Sequence, residues 1–352
     1  MSMPAKAGRV TKNKIKPMKN IFKYGMMAFV AAAAVSSCDW TDPEPVDVKY
    51  DQITEADPDA YQQYLANLRA YRNNGHKKVY AWFDNKSSFA SEAHHVSAVP
   101  DSIDVLVLTA PHAISQATLD EINEKRSNTG MQMAYVVDYA AIRKAWDLKK
   151  ELETPEAPVK EWSVFLADSV EIAMGYFNNG GFDRIIASYN GKDMNIASDS
   201  DKEAYRADQE NFLKPFVAWK KAQSDKGFDF IGIPANVLDA SFFDNVGVIF
   251  LSESKKATNV NELSFLIGRN SVAGVPTNRF AMFAALPVLD ETQASVGFWG
   301  DKYSAWETAR WTRTADGVTA MGMTNLADNY YHPTFIYPVC RQAIQILNPA
   351  AR

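Results

Sequence analysis

Eight short apolar runs recur along the chain, separated by longer segments in which apolar residues have helical spacing. Several of these runs are almost continuously apolar, as expected for strands that are buried on both faces. Strands that alternate with amphipathic helices are typical of parallel βα units. The predicted strands are residues 78–83, 103–109, 131–138, 182–188, 228–233, 246–251, 279–286 and 317–323.

The helical segments between these runs complete a repeating pattern. Ser115 is a good N-cap, and Pro215 predicts a kink or break in its helix. Eight strands with interposed helices predict an α/β fold, a (β/α)8 barrel. An open doubly wound sheet is the alternative, but it would need a glycine-rich phosphate-binding fingerprint that we do not find. The predicted helices are residues 57–73, 115–127, 162–178, 201–224, 261–268 and 334–347.

The N-terminal residues have the composition of an export signal. A basic segment follows Met18, which is a better start than the first residue. The apolar run 24–35 is too short to span a bilayer and is typical of a signal peptide. It ends in a Val-Ser-Ser-Cys lipobox at Cys38. We expect a signal peptide over residues 1–37 and lipidation of Cys38; the alternative is a short helix with an incidental cysteine.

Acidic residues and prolines follow Cys38, which predicts a solvated tether over residues 38–56. Acids directly after a lipidated cysteine resemble the surface-export signal of outer-membrane lipoproteins in glycan-scavenging Gram-negative bacteria. We therefore expect an outer-membrane lipoprotein exposed at the cell surface and held by lipid chains alone. An ordinary polar linker facing the periplasm is the alternative.

Composition limits the remaining possibilities. The chain is 47% apolar, enough for one large core, and we assign residues 57–352 to a single barrel domain. The other cysteine, Cys340, has no partner once Cys38 is lipidated, so we expect no disulfide. A net charge of −5, with no basic cluster beyond the signal region, argues against a nucleic-acid partner.

The fourth predicted strand and its flanks read Gly-Phe-Asp-Arg-Ile-Ile-Ala-Ser-Tyr-Asn-Gly. This segment resembles the catalytic strand of glycoside hydrolase family 18, the chitinases and endo-β-N-acetylglucosaminidases, which reads G-F-D-G-[IV]-D-[IL]-D-[WY]-E. Asp183 matches the first Asp of that pattern, and Tyr189 matches the aromatic residue. Ile186 and Ser188 stand at the other two Asp positions, and Asn190 stands at the catalytic Glu.

The resemblance implies the fold of a hydrolase without its chemistry. In the family, the substrate's own N-acetyl oxygen attacks the anomeric carbon, the Glu protonates the leaving oxygen, and the neighbouring Asp orients the acetamido group. Asn190 has no acidic proton to give. The short connection between the fifth and sixth strands, residues 234–245, favours the endo-β-N-acetylglucosaminidase branch, which shortens helices there.

Other acids lie near predicted strand ends and leave an active hydrolase open as an alternative. Asp138 ends the third strand, Asp193 follows the fourth, and Glu253 follows the sixth. Two carboxylates could restore hydrolysis only at a separation of roughly 5–9.5 Å, and we favour solvated surface roles for each.

Aromatic and amide side chains near strand ends favour carbohydrate binding, because sugar C–H faces stack on rings while hydroxyl groups bind amides and carboxylates. Trp299 lies between glycines and predicts an exposed turn. The predicted glycan-contacting residues are Trp82, Asn85, Tyr139, Tyr189, Asn190, Trp299, Asn325, Tyr330 and Tyr331.

These observations predict a non-catalytic surface lipoprotein that captures N-acetylglucosamine-containing glycans, with host N-glycans favoured. The resemblance also implies an outer-membrane glycan transporter and a companion lipoprotein as partners. We expect no cofactor and no metal site, since His94 and His95 have no third ligand at a suitable spacing. A structural lipoprotein that binds no sugar is a further alternative.

Overall fold

The computed structural model describes residues 57–85, 89–194, 197–332 and 335–349. Within these residues, eight parallel strands close into a barrel in which each strand pairs with the next and the last pairs with the first. The predicted (β/α)8 fold is therefore confirmed. The strands are β1 (Lys78–Phe83), β2 (Val105–Leu108), β3 (Gln132–Asp138), β4 (Arg184–Tyr189), β5 (Gly227–Gly232), β6 (Ile249–Leu251), β7 (Phe280–Ala285) and β8 (Val318–Thr324).

Helices surround the barrel, and six of them match the predicted segments. Two were not predicted: α3 begins directly at the end of β3, and α7 follows a short hairpin of Phe298–Trp299 with Lys302–Tyr303. The helices are α1 (Pro58–Arg72), α2 (Gln116–Thr129), α3 (Tyr139–Glu151), α4 (Trp162–Asn179), α5 (Asp199–Ala222), α6 (Val260–Asn270), α7 (Ser304–Thr314) and α8 (Pro338–Leu347). None of the described helices is long and apolar enough to cross a membrane.

Strand alternation divides the core into two layers. Side chains on one face of each strand fill the barrel interior, where Tyr80, Ile186 and Phe250 are buried. Those on the other face pack under the helices, as Ile185 and Tyr189 do. The parity of a residue in its strand thus decides whether its side chain can reach the barrel mouth.

A buried ion pair closes the amino-terminal end of the barrel interior. The Arg184 guanidinium donates to both carboxylate oxygens of Asp229, at 2.7 and 2.6 Å. Tyr80 Oη and Val248 N also donate to that carboxylate, at 3.0 Å each. Desolvation lowers the pKa of Arg184, but attraction to Asp229 and Tyr80 outweighs it, so the pKa is raised. Arg184 therefore stays charged, and its contacts with Asp229 keep both side chains hydrogen-bonded inside the barrel.

The connection between β5 and β6 contains two 3₁₀ turns, Pro234–Asn236 and Ala240–Asn245, and no α-helix. The predicted shortening is confirmed in this region. The predicted signal peptide, lipidated Cys38 and tether lie outside the described residues. Cys340 is a buried free thiol.

Candidate functional site

The carboxyl end of β4 brings the motif residues to the barrel mouth. Ile186, Ser188 and Asn190 share the inward face, as the alternation predicts. Ile186 is fully buried in the interior, Ser188 is half-buried, and Asn190 is exposed. The floor of the mouth along this strand therefore carries a hydroxyl group and an amide but no carboxylate.

Side-chain hydrogen bonds join the ends of neighbouring strands around Asn190. Ser252, which follows β6, donates from Oγ to Asn190 Oδ1 at 2.6 Å. Ser188 Oγ donates to Asp138 Oδ1 at 3.3 Å, and the same oxygen caps helix α3 by accepting from Ala140 N at 2.9 Å. These contacts fix the orientation of the polar groups at the mouth before any ligand arrives.

A cavity of about 590 Å³ runs from these strand ends along helix α6. Its volume lies within the range of small-ligand sites. On one side lie the β4 residues Ser188 and Asn190; on the other lie Lys255 and the exposed ring of Phe265. Phe265 is 68% exposed, so its ring is accessible from the cavity. The cavity thus combines hydrogen-bonding groups with an aromatic face.

Asp183 lies at the opposite end of β4, away from the mouth. Its Oδ2 accepts from Met133 N at 2.9 Å and from Arg126 Nη2 at 3.0 Å. Its backbone N–H donates to the Met133 carbonyl at 2.9 Å. The residue that matches the first Asp of the family pattern therefore joins helix α2 to strands β3 and β4.

Replacing Asp183 with alanine is expected to lower the free energy of unfolding by about 1–3 kcal/mol, because Met133 N–H loses its acceptor and Arg126 loses its carboxylate partner. Urea denaturation followed by circular dichroism measures the change. Asp183→Asn, which keeps one acceptor oxygen, is the matched control and should lose less. Equal stability of the wild-type protein and Asp183→Ala would contradict the role of Asp183 in joining helix α2 to strands β3 and β4.

Tyr139 and Tyr189 do not reach the cavity, contrary to their predicted glycan contacts. Tyr189 has outward parity and is 1% exposed. The two rings contact each other at 5.0 Å between centroids, and both contact Phe212 of helix α5. Tyr139 Oη donates to Asp208 at 2.5 Å. Both tyrosines therefore pack the helix layer behind the barrel wall.

Trp82 and Asn85, both near the end of β1, have different roles. Trp82 points into the barrel, half-buried, with its ring 4.9 Å from that of Phe283. Gly322 on β8 makes room for it, since a Cβ there would lie 2.8 Å from the Trp82 ring. Asn85 is 2% exposed, and its amide exchanges two hydrogen bonds with the Ala110 backbone. Asn85 thus joins two loops and is not available to a glycan.

The remaining predicted contacts lie apart from this cavity. Trp299 is half-buried in the hairpin and packs on the outer core, so the predicted exposed position is wrong. Asn325 adopts a φ of 63° and donates to the Leu286 carbonyl at 3.2 Å. Tyr330 contacts the ring of Tyr331. Tyr331 is exposed and lines a separate groove of about 710 Å³ between α7 and α8.

The acids considered as relocated catalysts are partly brought together. Asp138 and Glu253 line the same cavity, whereas Asp193 does not. Glu253 is paired with Arg269 at 2.6 Å. His95 is paired with Glu121 and stacks on Phe89. Among the described residues, no group of three or more His, Cys, Asp or Glu side chains is placed to hold a metal ion.

Three residues of the cavity escaped the sequence analysis. Ser252 and Lys255 belong to a 3₁₀ segment directly after β6, a position where barrel proteins place functional side chains. Phe265 lies outside the apolar stripe of α6, whose buried members include Leu263 and Leu266. An aromatic residue off its helix's apolar stripe was therefore a usable signal.

Most of the chain matches the sequence model of one protein family. The model described as glycoside hydrolase family 18, BT1044-like, matches residues 41–346. The chain belongs to this family. No sequence among the curated proteins matches it.

Several solved structures have a similar fold. A selenomethionine-labelled Glu-to-Gln variant of BT1044 is 12% identical, with a TM-score of 0.57, covering 85% of this chain and 96% of that one. An endo-β-N-acetylglucosaminidase from Cordyceps militaris is 12% identical, with a TM-score of 0.55 and coverages of 82% and 96%. YKL-39, crystallised in the presence of chitooligosaccharides, is 9% identical, with a TM-score of 0.50 and coverages of 77% and 99%. At these identities, the similarity shows the family 18 fold alone.

Proposed function

We propose that this family 18 protein binds glycans without cleaving them. The observation that carries the proposal is the inward face of β4, where Ile186, Ser188 and Asn190 stand at the positions of three acids in the family pattern. That this segment is the fourth barrel strand, with Asn190 at its carboxyl end, supports the alignment. Hydrolysis by the family's mechanism requires a general acid at this position, and an amide has no acidic proton to transfer.

The ligand class follows from the family and from the cavity. Family 18 enzymes act on N-acetylglucosamine linkages, and the cavity offers an amide, hydroxyl groups and an aromatic face. An N-acetylglucosamine residue presents a C–H face for stacking on Phe265 and an acetamido group for hydrogen bonds with Asn190 or Ser188. We assign N-acetylglucosamine-containing glycans as ligands, with host N-glycans as the first candidates.

The proposed cellular role depends on the N-terminal residues. Lipidation of Cys38 would hold the protein at the outer membrane, and the acidic tether would extend the barrel from the cell surface. There the protein would capture glycans and pass them to an outer-membrane transporter with its companion lipoprotein. Replacing Cys38 with alanine and fractionating the cells tests the anchoring.

A second candidate is a hydrolase that uses relocated acids, which the placement of Asp138 and Glu253 in one cavity favours. Mass spectrometry of an N-glycoprotein incubated with the protein separates the two functions. Released glycan that disappears in Asp138→Asn or Glu253→Gln would establish the hydrolase. Absence of both release and binding would leave a structural role.

Phe265→Ala is expected to weaken glycan binding about fivefold, because one aromatic stacking contact contributes about 1 kcal/mol. Its stability should be unchanged, since the ring is exposed. Isothermal titration calorimetry with an N-glycan measures the affinity. Phe335→Ala is the matched control, because Phe335 is 48% exposed and lines the separate groove between α7 and α8. Equal affinities of Phe265→Ala and the wild-type protein would remove Phe265 from the site.

A further inference from the structure

Lys255 places a positive charge over the barrel mouth. It belongs to the 3₁₀ segment after β6, and its Nζ lies 4.4 Å from the centroid of the Phe283 ring, which belongs to the interior of the barrel. Its side chain is accessible in the cavity, yet desolvation by the surrounding protein lowers its pKa, and the Asp138 carboxylate opposes this shift. A cation at this position would repel the positive charge that develops during glycoside hydrolysis.

The acids of the cavity are already engaged by the protein. Glu253 pairs with Arg269 at 2.6 Å. Glu262 accepts from the backbone and hydroxyl groups of Thr258. Asp138 accepts from Ala140 N and from Ser188 Oγ. Each of the three carboxylates is thus engaged through at least one oxygen, although Glu253 Oε2 is buried without a hydrogen-bond partner.

The two lysines of the cavity differ from these acids in their hydrogen bonding. Within the described part of the chain, Lys255 and Lys256 have no acceptor at hydrogen-bonding distance, and both line the cavity. Each ammonium has three N–H donors and is satisfied best by an anionic acceptor. Lys255 and Lys256 are thus the charged side chains of the cavity that make no hydrogen bond within the described part of the chain, although its formal charges balance.

We propose that Lys255 makes the site selective for glycans that carry a carboxylate-bearing sugar. This inference rests on the proposed glycan-binding function and adds the chemical class of the ligand to it. The carboxylate would lie beside Lys255, with Lys256 as a second donor, while a neighbouring neutral sugar stacks on Phe265. A sialic acid on an N-glycan and a uronic acid in a repeating polysaccharide both supply this group.

Titration calorimetry with two matched pairs of glycans tests the inference. One pair is a disialylated biantennary N-glycan and the same glycan without sialic acid; the other is a hyaluronan tetrasaccharide and chitotetraose. We expect the acidic member of at least one pair to bind about fivefold to tenfold more tightly, a preference that identifies the source of the carboxylate. Lys255→Gln should abolish the preference, and Lys255→Arg should retain most of it.

Three results would overturn the inference, and they separate its failure from that of the glycan-binding function. Equal affinities of the wild-type protein for both members of each pair, or a preference that survives Lys255→Gln, would remove the charge selectivity and leave the glycan-binding function intact. Failure to bind any of the four glycans would remove both. Thermal unfolding of each variant establishes that it is folded before titration.

Discussion

Replacing Ile186 with aspartate, the residue of the family pattern, is expected to destabilise the protein by about 4 kcal/mol or more at pH 7. Ile186 is fully buried in the barrel interior with Tyr80, Phe250 and Phe283. Burial disfavours the charged form of a carboxyl group there, so its pKa would be raised by about three units or more above that of an exposed aspartate and the group would fold in its protonated form. Urea denaturation measures the loss.

The pH dependence of this variant separates the charge from the lost packing. Because the pKa in the folded state would be raised, the folded protein binds a proton that the unfolded chain releases above about pH 4. Stability relative to the wild-type protein should therefore fall as the pH rises from 4 to 7. Ile186→Val is the control, with a loss of about 1 kcal/mol that does not change with pH. If Ile186→Asp is as stable as Ile186→Val at pH 7, the barrel interior accommodates an acid. Packing would then not prevent the family's aspartate from standing at this position.

Asp229→Ala is expected to lower the free energy of unfolding by about 3–5 kcal/mol, because it leaves the Arg184 guanidinium buried without its counter-ion. Tyr80 Oη and Val248 N–H lose their acceptor at the same time. The loss is measured by urea denaturation and should far exceed that of an exposed acid such as Asp193→Ala.

A double variant distinguishes the ion pair from simple loss of volume. Replacing Arg184 with methionine and Asp229 with leucine removes both charges while retaining side-chain volume, and buried pairs exchanged in this way often cost little. We expect the double variant to be more stable than Asp229→Ala. If it is less stable than the single variant, the polar contacts of Asp229 with Tyr80 and Val248 matter more than the charge of Arg184.

The barrel strands were predictable because each is a short apolar run with no competing helical spacing. The bounds of β1 agree to the residue. In β6, the predicted strand began at Val246 but the observed strand begins at Ile249. The reason is tertiary: the Asp229 side chain accepts from Val248 N–H in place of a backbone partner. No local sequence pattern reveals that a side chain takes the place of the backbone acceptor here.

The two missed helices have different causes. Helix α3 starts directly after the last residue of β3, so no polar loop marks the change, although Asp138 is a good N-cap. Helix α7 is rich in tryptophan and threonine, which have modest helix propensity, and has no side-chain N-cap. Its tryptophans, Trp306 and Trp311, pack against the outer core.

The candidate site was predictable only in part. The alternation of β4 correctly placed Ile186, Ser188 and Asn190 on one face, and the same rule placed Tyr189 on the other. Treating Tyr189 as a ligand contact ignored that parity. The role of Asn85 depended on its pairing with Ala110, which is 25 residues away and adjacent only in the folded barrel. Contacts between strand ends thus require the fold, while the face of a residue within its strand does not.

Native mass spectrometry of the wild-type protein with an N-glycopeptide tests the central claim most directly, because it reports binding and cleavage in one spectrum. The account predicts a protein–glycopeptide complex of unchanged ligand mass that persists over hours at pH 7. Progressive replacement of that complex by peptide bearing a single N-acetylglucosamine and by free glycan would contradict it.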